Sequence, residues 1–148
     1  MRTGTKAQLS WRWGRGAAGS LADLGAPTAG AAVSLCGYAT GGTDEIVFEA
    51  TAAAGDGWAT VGSGGFKYKD RDGYPDGLRS AQLRPGEPGK AKLRVKGKGA
   101  GLAFGPLAFG AGSTVFAQLR SSAGGCYGSV FSPPFKRDES GEFQDGSD

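Results

Sequence analysis

The stretch KAKLRVK, residues 90–96, decides the fold, because its side chains alternate without interruption between basic and apolar. The apolar positions are Ala91, Leu93 and Val95, and the basic positions between them are Lys90, Lys92, Arg94 and Lys96. A period of two residues is the repeat of a β-strand, whose successive side chains point to opposite faces. The stretch therefore predicts a strand with one dry face and one solvated, basic face, as in an antiparallel sheet open to water on one side.

The same period recurs along the chain on both sides of this stretch. Apolar residues alternate with polar ones at Ala7, Leu9, Trp11 and Trp13, at Val33 and Leu35, at Ile46, Phe48 and Ala50, at Phe66 and Tyr68, at Val115, Ala117 and Leu119, and from Cys126 to Phe131. Turn signals such as DRDGYPDG and RPGEPG separate these runs, and 29 of the 148 residues are Gly. The pattern predicts an all-β antiparallel sandwich, with a small β-barrel as the alternative, built from roughly nine or ten short strands.

The chain length fits one domain, which we place at residues 5–136. Residues 17–24 are the one helical candidate, and this short, Gly-interrupted run predicts a loop or a single helical turn. Residues 137–148 are acidic and nearly free of apolar side chains, which predicts a disordered tail.

No apolar run approaches the roughly 20 residues of a membrane span, and no signal peptide is expected in the chain as given.

Three segments together resemble a known family. They are GGFKYKDRDG at 64–73, AQLRPGEPGKAKLRVKGKGAGLAF at 81–104 and VFAQLRSSAGGCYGSVF at 115–131. Together they are similar to an uncharacterised secreted Gly-rich β-domain of environmental bacteria, in which a KYKDK turn leads to a VKGKG strand and then to a late strand with Cys and an aromatic residue. The resemblance covers residues 31–136. It implies export and a β-rich fold, and it brings no activity, ligand or catalytic residue.

The two cysteines, Cys36 and Cys126, each lie in a strand-like segment. A disulfide between them would suit this pattern and would imply an extracytoplasmic compartment, while two buried free thiols are the alternative. Zinc is not expected, because the chain has no His and two isolated Cys cannot supply four ligands. The expected disulfide and the family resemblance together predict a secreted or cell-surface protein.

The residue types argue against an enzyme and against a cofactor. Without His there is no Ser/His/Asp or Cys/His nucleophile pair, so no catalytic residue is assigned. The segment GRGAAG, residues 14–19, matches a dinucleotide-binding pattern, but a chain this rich in Gly produces such a match by chance. The loop DRDGYPDG offers Asp70, Asp72 and Asp76 as calcium ligands, with an ordinary turn as the favoured alternative.

Two kinds of surface remain as candidates for ligand binding. Aromatic residues that could stack on sugar rings are Trp11, Trp13, Trp58 and Tyr74, although core packing also explains the tryptophans. The basic residues Lys92, Arg94 and Lys96 could meet an anionic surface, although they also suit a solvated strand face.

We expect no nucleic-acid partner, and neighbouring domains of a longer chain are a further candidate partner. The sequence thus favours a non-enzymatic structural or adhesive module of an exported or cell-surface bacterial protein, with a carbohydrate- or anionic-polymer-binding module as the alternative.

Overall fold

The computed structural model describes residues 1–4, 6–14, 18–41 and 45–147. These residues form one short helix, α1 (Leu21–Leu24), and eleven strands. The strands are β1 (Gln8–Gly14), β2 (Val33–Thr40), β3 (Glu45–Ala52), β4 (Trp58–Thr60), β5 (Phe66–Lys69), β6 (Leu78–Arg84), β7 (Lys92–Lys98), β8 (Thr114–Ser121), β9 (Cys126–Phe131), β10 (Arg137–Glu139) and β11 (Glu142–Gln144).

Two main sheets carry nine of these strands. The first has the order β1-β7-β6-β5-β4, the second has the order β3-β2-β8-β9, and β10 pairs only with β11. All strand pairs are antiparallel. The all-β, antiparallel prediction is confirmed, and the architecture is consistent with a sandwich. The barrel alternative is wrong, because the sheets do not form a closed barrel.

The core lies between the two main sheets, and both sheets supply it by strict alternation. In β7, Leu93 and Val95 are 2% and 1% exposed, while Lys92, Arg94 and Lys96 are exposed to solvent. The second sheet contributes Leu35 and Leu119 to the core; they lie opposite each other in register and are also buried. This is the packing of a sandwich, in which inward side chains of two sheets interdigitate.

A bulge in β3, opposite Gly37 and Tyr38 of β2, changes which face of the second sheet Ile46 occupies. The register between β2 and β3 pairs Gly37 with Phe48 but Tyr38 with Ile46, so Val47 is an extra residue. A bulge of this kind reverses the inward and outward positions beyond it. Ile46 is consequently 65% exposed, and the expectation that it shares a face with Phe48 and Ala50 is wrong.

The helical candidate is a single turn, as expected. Ser20 caps α1: its hydroxyl accepts a hydrogen bond from the Asp23 N–H, and the Asp23 carboxylate accepts one from the Ser20 N–H. Such a reciprocal capping box satisfies free N–H groups at a helix start. Residues 15–17, within and beside this candidate, lie outside the described residues. No helix in the described ranges is long and apolar enough to cross a bilayer.

Residues 137–147 contain two strands, in contrast to the expectation of a disordered tail over residues 137–148. Strands β10 and β11 form a hairpin, and Phe143 is 4% exposed within a cluster formed by Phe109, Phe131 and Phe135. The Asp138 carboxylate accepts hydrogen bonds from the N–H groups of Phe109 and Gly110. One buried aromatic ring and one capping carboxylate thus hold a segment whose average composition is polar.

Cys36 and Cys126 do not form the expected disulfide. Cys36 is buried in β2, whereas Cys126 is exposed at the start of β9, and both are free. Strand β8 lies between β2 and β9, and neighbouring strands are about 4.8 Å apart, so the two Cα atoms are separated by about 9 Å or more. A disulfide needs Cα atoms within about 7 Å. The cysteines therefore give no support to an oxidising compartment.

Candidate ligand-binding face

The outer face of the first sheet is strongly basic. Its five strands contain nine Lys or Arg residues and no Asp or Glu. Eight of these cations are exposed, and alternation places them on the side of the sheet away from the core. We call this surface the basic face, and its cations are Arg12, Lys67, Lys69, Arg84, Lys92, Arg94, Lys96 and Lys98.

The strand register arranges these cations in rows across the sheet. One row runs from Arg12 through Arg94 and Gln82 to Lys67, and a second joins Lys96 to Ser80 and Lys69. Lys92 lies opposite Arg84 in a third. Because adjacent strands are about 4.8 Å apart and alternate residues about 7 Å apart, the charges form a lattice of short spacing in two dimensions.

Within the described ranges, no ion pair joins a cation of the basic face to a carboxylate. The ion pairs of the described residues are Arg2–Glu142, Arg137–Glu142 and Lys90–Glu87, and none includes a cation of the face. Many acidic residues lie in loops or in the C-terminal hairpin. A surface of one sign without counter-charges raises a positive potential that attracts anions.

The sequence predicted only part of this face. Lys92, Arg94 and Lys96 were expected to be outward and basic, and the structure places all three there. The contribution of Arg12 could not be read from the sequence, since Arg12 precedes Arg94 by more than eighty residues and reaches it only through the pairing of β1 with β7. The alternation of KYK in β5 carried a signal for Lys67 and Lys69.

The outer face of the second sheet has a different chemistry. In one row across all four strands, Ile46, Tyr38, Phe116 and Val130 lie side by side. Ile46 and Val130 are 65% and 40% exposed. The two outer faces of the sandwich are therefore chemically distinct: one basic, the other crossed by an apolar row.

The aromatic candidates do not form one platform. Trp11 and Trp58 are buried at opposite edges of the first sheet, and the Trp58 Nε1–H donates to the Ala53 carbonyl at 3.0 Å. Trp13 is half-buried, donates from Nε1 to the Gly128 carbonyl at 2.9 Å and packs edge-on against Tyr127. Tyr74 is 82% exposed in the loop between β5 and β6. The tryptophans mainly serve packing in this arrangement.

The acidic loop uses its carboxylates to hold its own main chain. The Asp70 carboxylate accepts hydrogen bonds from the N–H groups of Asp72 and Tyr74, and these backbone bonds lower the Asp70 pKa from its ordinary value. The Asp76 carboxylate instead accepts from the Thr51 N–H at 2.9 Å. Within the described ranges, no three His, Cys, Asp or Glu side chains are grouped so that they could hold a metal ion.

Comparison with known proteins adds no assignment. No family model, curated protein sequence or solved structure matches the chain. The dinucleotide-like segment GRGAAG cannot be placed either, because its residues 15–17 lie outside the described part of the chain. The function is therefore argued from the basic face alone.

Proposed function

We propose that this domain is a non-enzymatic adhesive module of an exported protein, and that its basic face binds an anionic polysaccharide. The observation that carries the proposal is a set of eight exposed cations on one sheet face whose strands hold no carboxylate. Basic residues on a solvated strand face also deter edge pairing between sheets, but that role needs only a few charges at an edge. Here the cations continue across β7 and β6 in the middle of the sheet.

An extended polyanion fits this surface better than a small anion does. The cations are spread over four strands and lie on an outward sheet surface. A small anion would meet only two or three of them, whereas a chain of carboxylates or sulfates meets many at once. Multivalent contact of this kind raises the overall affinity even where each contact is weak.

The proposal of export rests on the sequence resemblance. Export favours a polysaccharide over a nucleic acid as the polyanion that the basic face binds. Carboxylated and sulfated polysaccharides are the polyanions of a cell exterior, and Lys and Arg side chains bind both groups through charge-assisted hydrogen bonds. A nucleic acid carries the same sign of charge, so it forms an arm of the test. The absence of His supports the non-enzymatic part of the proposal, because it removes the commonest general base.

Binding to dextran sulfate, with neutral dextran as the matched uncharged polymer, tests the proposal. We expect binding to dextran sulfate alone, and an affinity that falls at least tenfold between 50 and 500 mM NaCl, on the order expected where several ion contacts release counterions. A second arm compares polygalacturonate with a DNA duplex. Equal or tighter binding to DNA would overturn the choice of polysaccharide, and binding to neutral dextran would overturn the electrostatic account.

Two double variants separate the basic face from net charge. The variant Arg94→Glu/Lys96→Glu reverses two charges of the face, and Arg120→Glu/Lys136→Glu reverses two exposed charges elsewhere. Both lower the net charge equally. We expect the first to reduce dextran sulfate affinity at least tenfold and the second to change it less than threefold, since about 1.4 kcal/mol corresponds to a factor of ten. Equal losses in the two variants would contradict a localised site.

A further inference from the structure

Strand β1 forms an edge of the first sheet, and its main-chain groups alternate in direction. The Ala7 carbonyl accepts from the Gly99 N–H, on the side of β7. Gln8 exchanges both main-chain hydrogen bonds with Arg2, at 2.8 Å each, on the opposite side. In an antiparallel strand this direction alternates from one residue to the next. The N–H and C=O groups of Ser10 and Arg12 therefore point away from β7, as those of Gln8 do.

These four groups form a free edge of β1. At the start of β1, Arg2 covers the edge at Gln8. At the other end of β1, the Trp13 indole N–H donates to the Gly128 carbonyl of β9. Between these points no main-chain partner faces Ser10 or Arg12 within the described residues, and both residues are exposed. An uncovered edge is a template for another strand.

A groove of about 620 Å³ runs beside this edge. Five consecutive residues of the chain, from Gln8 to Arg12, line it, although their side chains alternate between the two faces. The groove therefore borders the edge of β1 along its main chain. The other residues that line it include the apolar Val115, Phe131 and Phe143 and residues 145–147.

We propose that the free edge of β1 binds an extended peptide of a partner protein by strand addition, and that this peptide alternates acidic and apolar residues. In an added strand, the residues opposite Ser10 and Arg12 point outward on the basic face, where an acidic side chain lies beside Arg12, and Lys96 and Arg94 follow one strand further into the sheet. The intervening residues point with Trp11 toward the apolar walls of the groove. Main-chain hydrogen bonds supply affinity in this mode, and the alternate side-chain sites supply selectivity.

Charge argues for a partner peptide over a second copy of this chain. Antiparallel pairing of two β1 edges would join two basic faces into one continuous sheet, and a register centred on Arg12 would place it opposite Arg12 of the other copy. Like charges at such cross-strand positions are destabilising. An acidic strand instead gains from the same positions.

The test uses the full chain and the synthetic peptide acetyl-GELELEG-amide. We expect the Ser10 and Arg12 amides to exchange with deuterated water rapidly in the free protein and at least tenfold more slowly with saturating peptide, while core amides of β7 change little. The control peptide acetyl-GEEELLG-amide has the same composition without the alternation, and we expect at least tenfold weaker binding. Equal binding of the two peptides, or no added protection at Ser10 and Arg12, would overturn the proposal.

Variants at Ser10 isolate the main-chain contact. Ser10→Pro removes one edge N–H that does not bond to β7, so the ladder between β1 and β7 is retained. We expect this variant to lose at least tenfold in affinity for the alternating peptide and to keep its affinity for dextran sulfate, whereas Ser10→Ala keeps both. If Ser10→Pro is less stable to heat, N-methylation of the peptide's central residues removes the reciprocal bonds, which the peptide N–H groups donate to the edge carbonyls of β1, and we expect a comparable loss. Undiminished binding of the N-methylated peptide would contradict strand addition, independently of the polysaccharide result.

Discussion

Arg12 of β1 and Arg94 of β7 lie directly opposite each other on the basic face, and both side chains are exposed. Side chains at such positions have Cβ atoms about 5 Å apart, and two like charges there destabilise the sheet. The fold keeps this unfavourable pair where a neutral residue would serve packing equally well. Residues that lower the stability of a fold in this way are typical of a functional surface.

Replacing Arg94 should separate stability from binding. We expect Arg94→Gln to raise the free energy of unfolding by about 0.2–1 kcal/mol at low salt, because it removes repulsion from Arg12. The same variant should bind dextran sulfate more weakly. Urea unfolding in 20 mM and 1 M NaCl checks the cause, since salt screens charges at the surface and should abolish the stability gain. A variant that is less stable in both salt conditions would show that Arg94 serves the fold.

The cysteines should behave as one reactive and one protected thiol. Cys36 is 2% exposed, and burial raises the pKa of its thiol, whereas Cys126 is exposed. The thiolate is the reactive form, so the aromatic disulfide reagent DTNB should label one thiol quickly in the native protein and two after unfolding. Cys126→Ser should remove the fast phase. Absence of labelling in unreduced, unfolded protein would mean that the chain is oxidised.

Gly37 should be intolerant of a methyl group. A Cβ at this position in β2 would overlap the ring of Phe48, which lies over the strand. We expect Gly37→Ala to lower the free energy of unfolding by about 1–3 kcal/mol, the usual cost of overpacking a core. Gly128→Ala is the matched control in β9, since its Cβ would lie 3.8 Å from the nearest side-chain atom, Gln118 Cγ. Similar stabilities of the two variants would contradict the packing of Phe48 on Gly37.

The C-terminal hairpin should contribute to the stability of the domain. Phe143 is buried among three other phenylalanines, so we expect Phe143→Ala to cost about 3–5 kcal/mol in urea unfolding. Its neighbour Gln144 is exposed on the same strand, and Gln144→Ala should cost less than about 0.5 kcal/mol. Equal, small effects would return residues 137–148 to the disordered tail expected from composition.

Acid should weaken the junction between the two chain ends. Hydrogen bonds from Arg137 and Arg2 lower the pKa of Glu142 from its ordinary value of 4.5. A carboxyl with a lowered native pKa stabilises the fold fully above the unfolded-state pKa, and this stabilisation is lost as the pH falls through the native pKa. We expect Glu142→Gln to lose part of the decline in urea midpoint below about pH 4.5. An unchanged pH profile would contradict the pairing.

The sequence predicted the alternating strands well, because period-two patterning is a local signal. KAKLRVK gave the inward and outward residues of β7 correctly, and the all-β class followed from its repetition. The bulge at Val47, opposite Gly37 and Tyr38, escaped prediction. It depends on how β3 pairs with β2, and the sequence around Ile46 carries no signal for that pairing. The hairpin of β10 and β11 escaped for a related reason: its apolar anchor is one residue, Phe143, whose partners lie elsewhere in the chain.

The basic face was only partly predictable for the same physical reason. Charges within one strand appear side by side in the sequence, as Lys92, Arg94 and Lys96 do. Arg12 joins them only through strand pairing, and the free edge at Ser10 depends on the sheet order. The proposed disulfide failed because alternation cannot reveal that β8 lies between the two cysteines.

The most direct test of the polysaccharide-binding face is an NMR titration of the uniformly ¹⁵N-labelled chain with a short dextran sulfate oligosaccharide, with neutral dextran of equal length as the control. We expect amide shifts to change along β5, β6 and β7 and at Arg12, to lessen in Arg94→Glu/Lys96→Glu, and to stay within error with neutral dextran. Shifts confined to the second sheet, or equal shifts with both oligosaccharides, would contradict the assignment of the basic face.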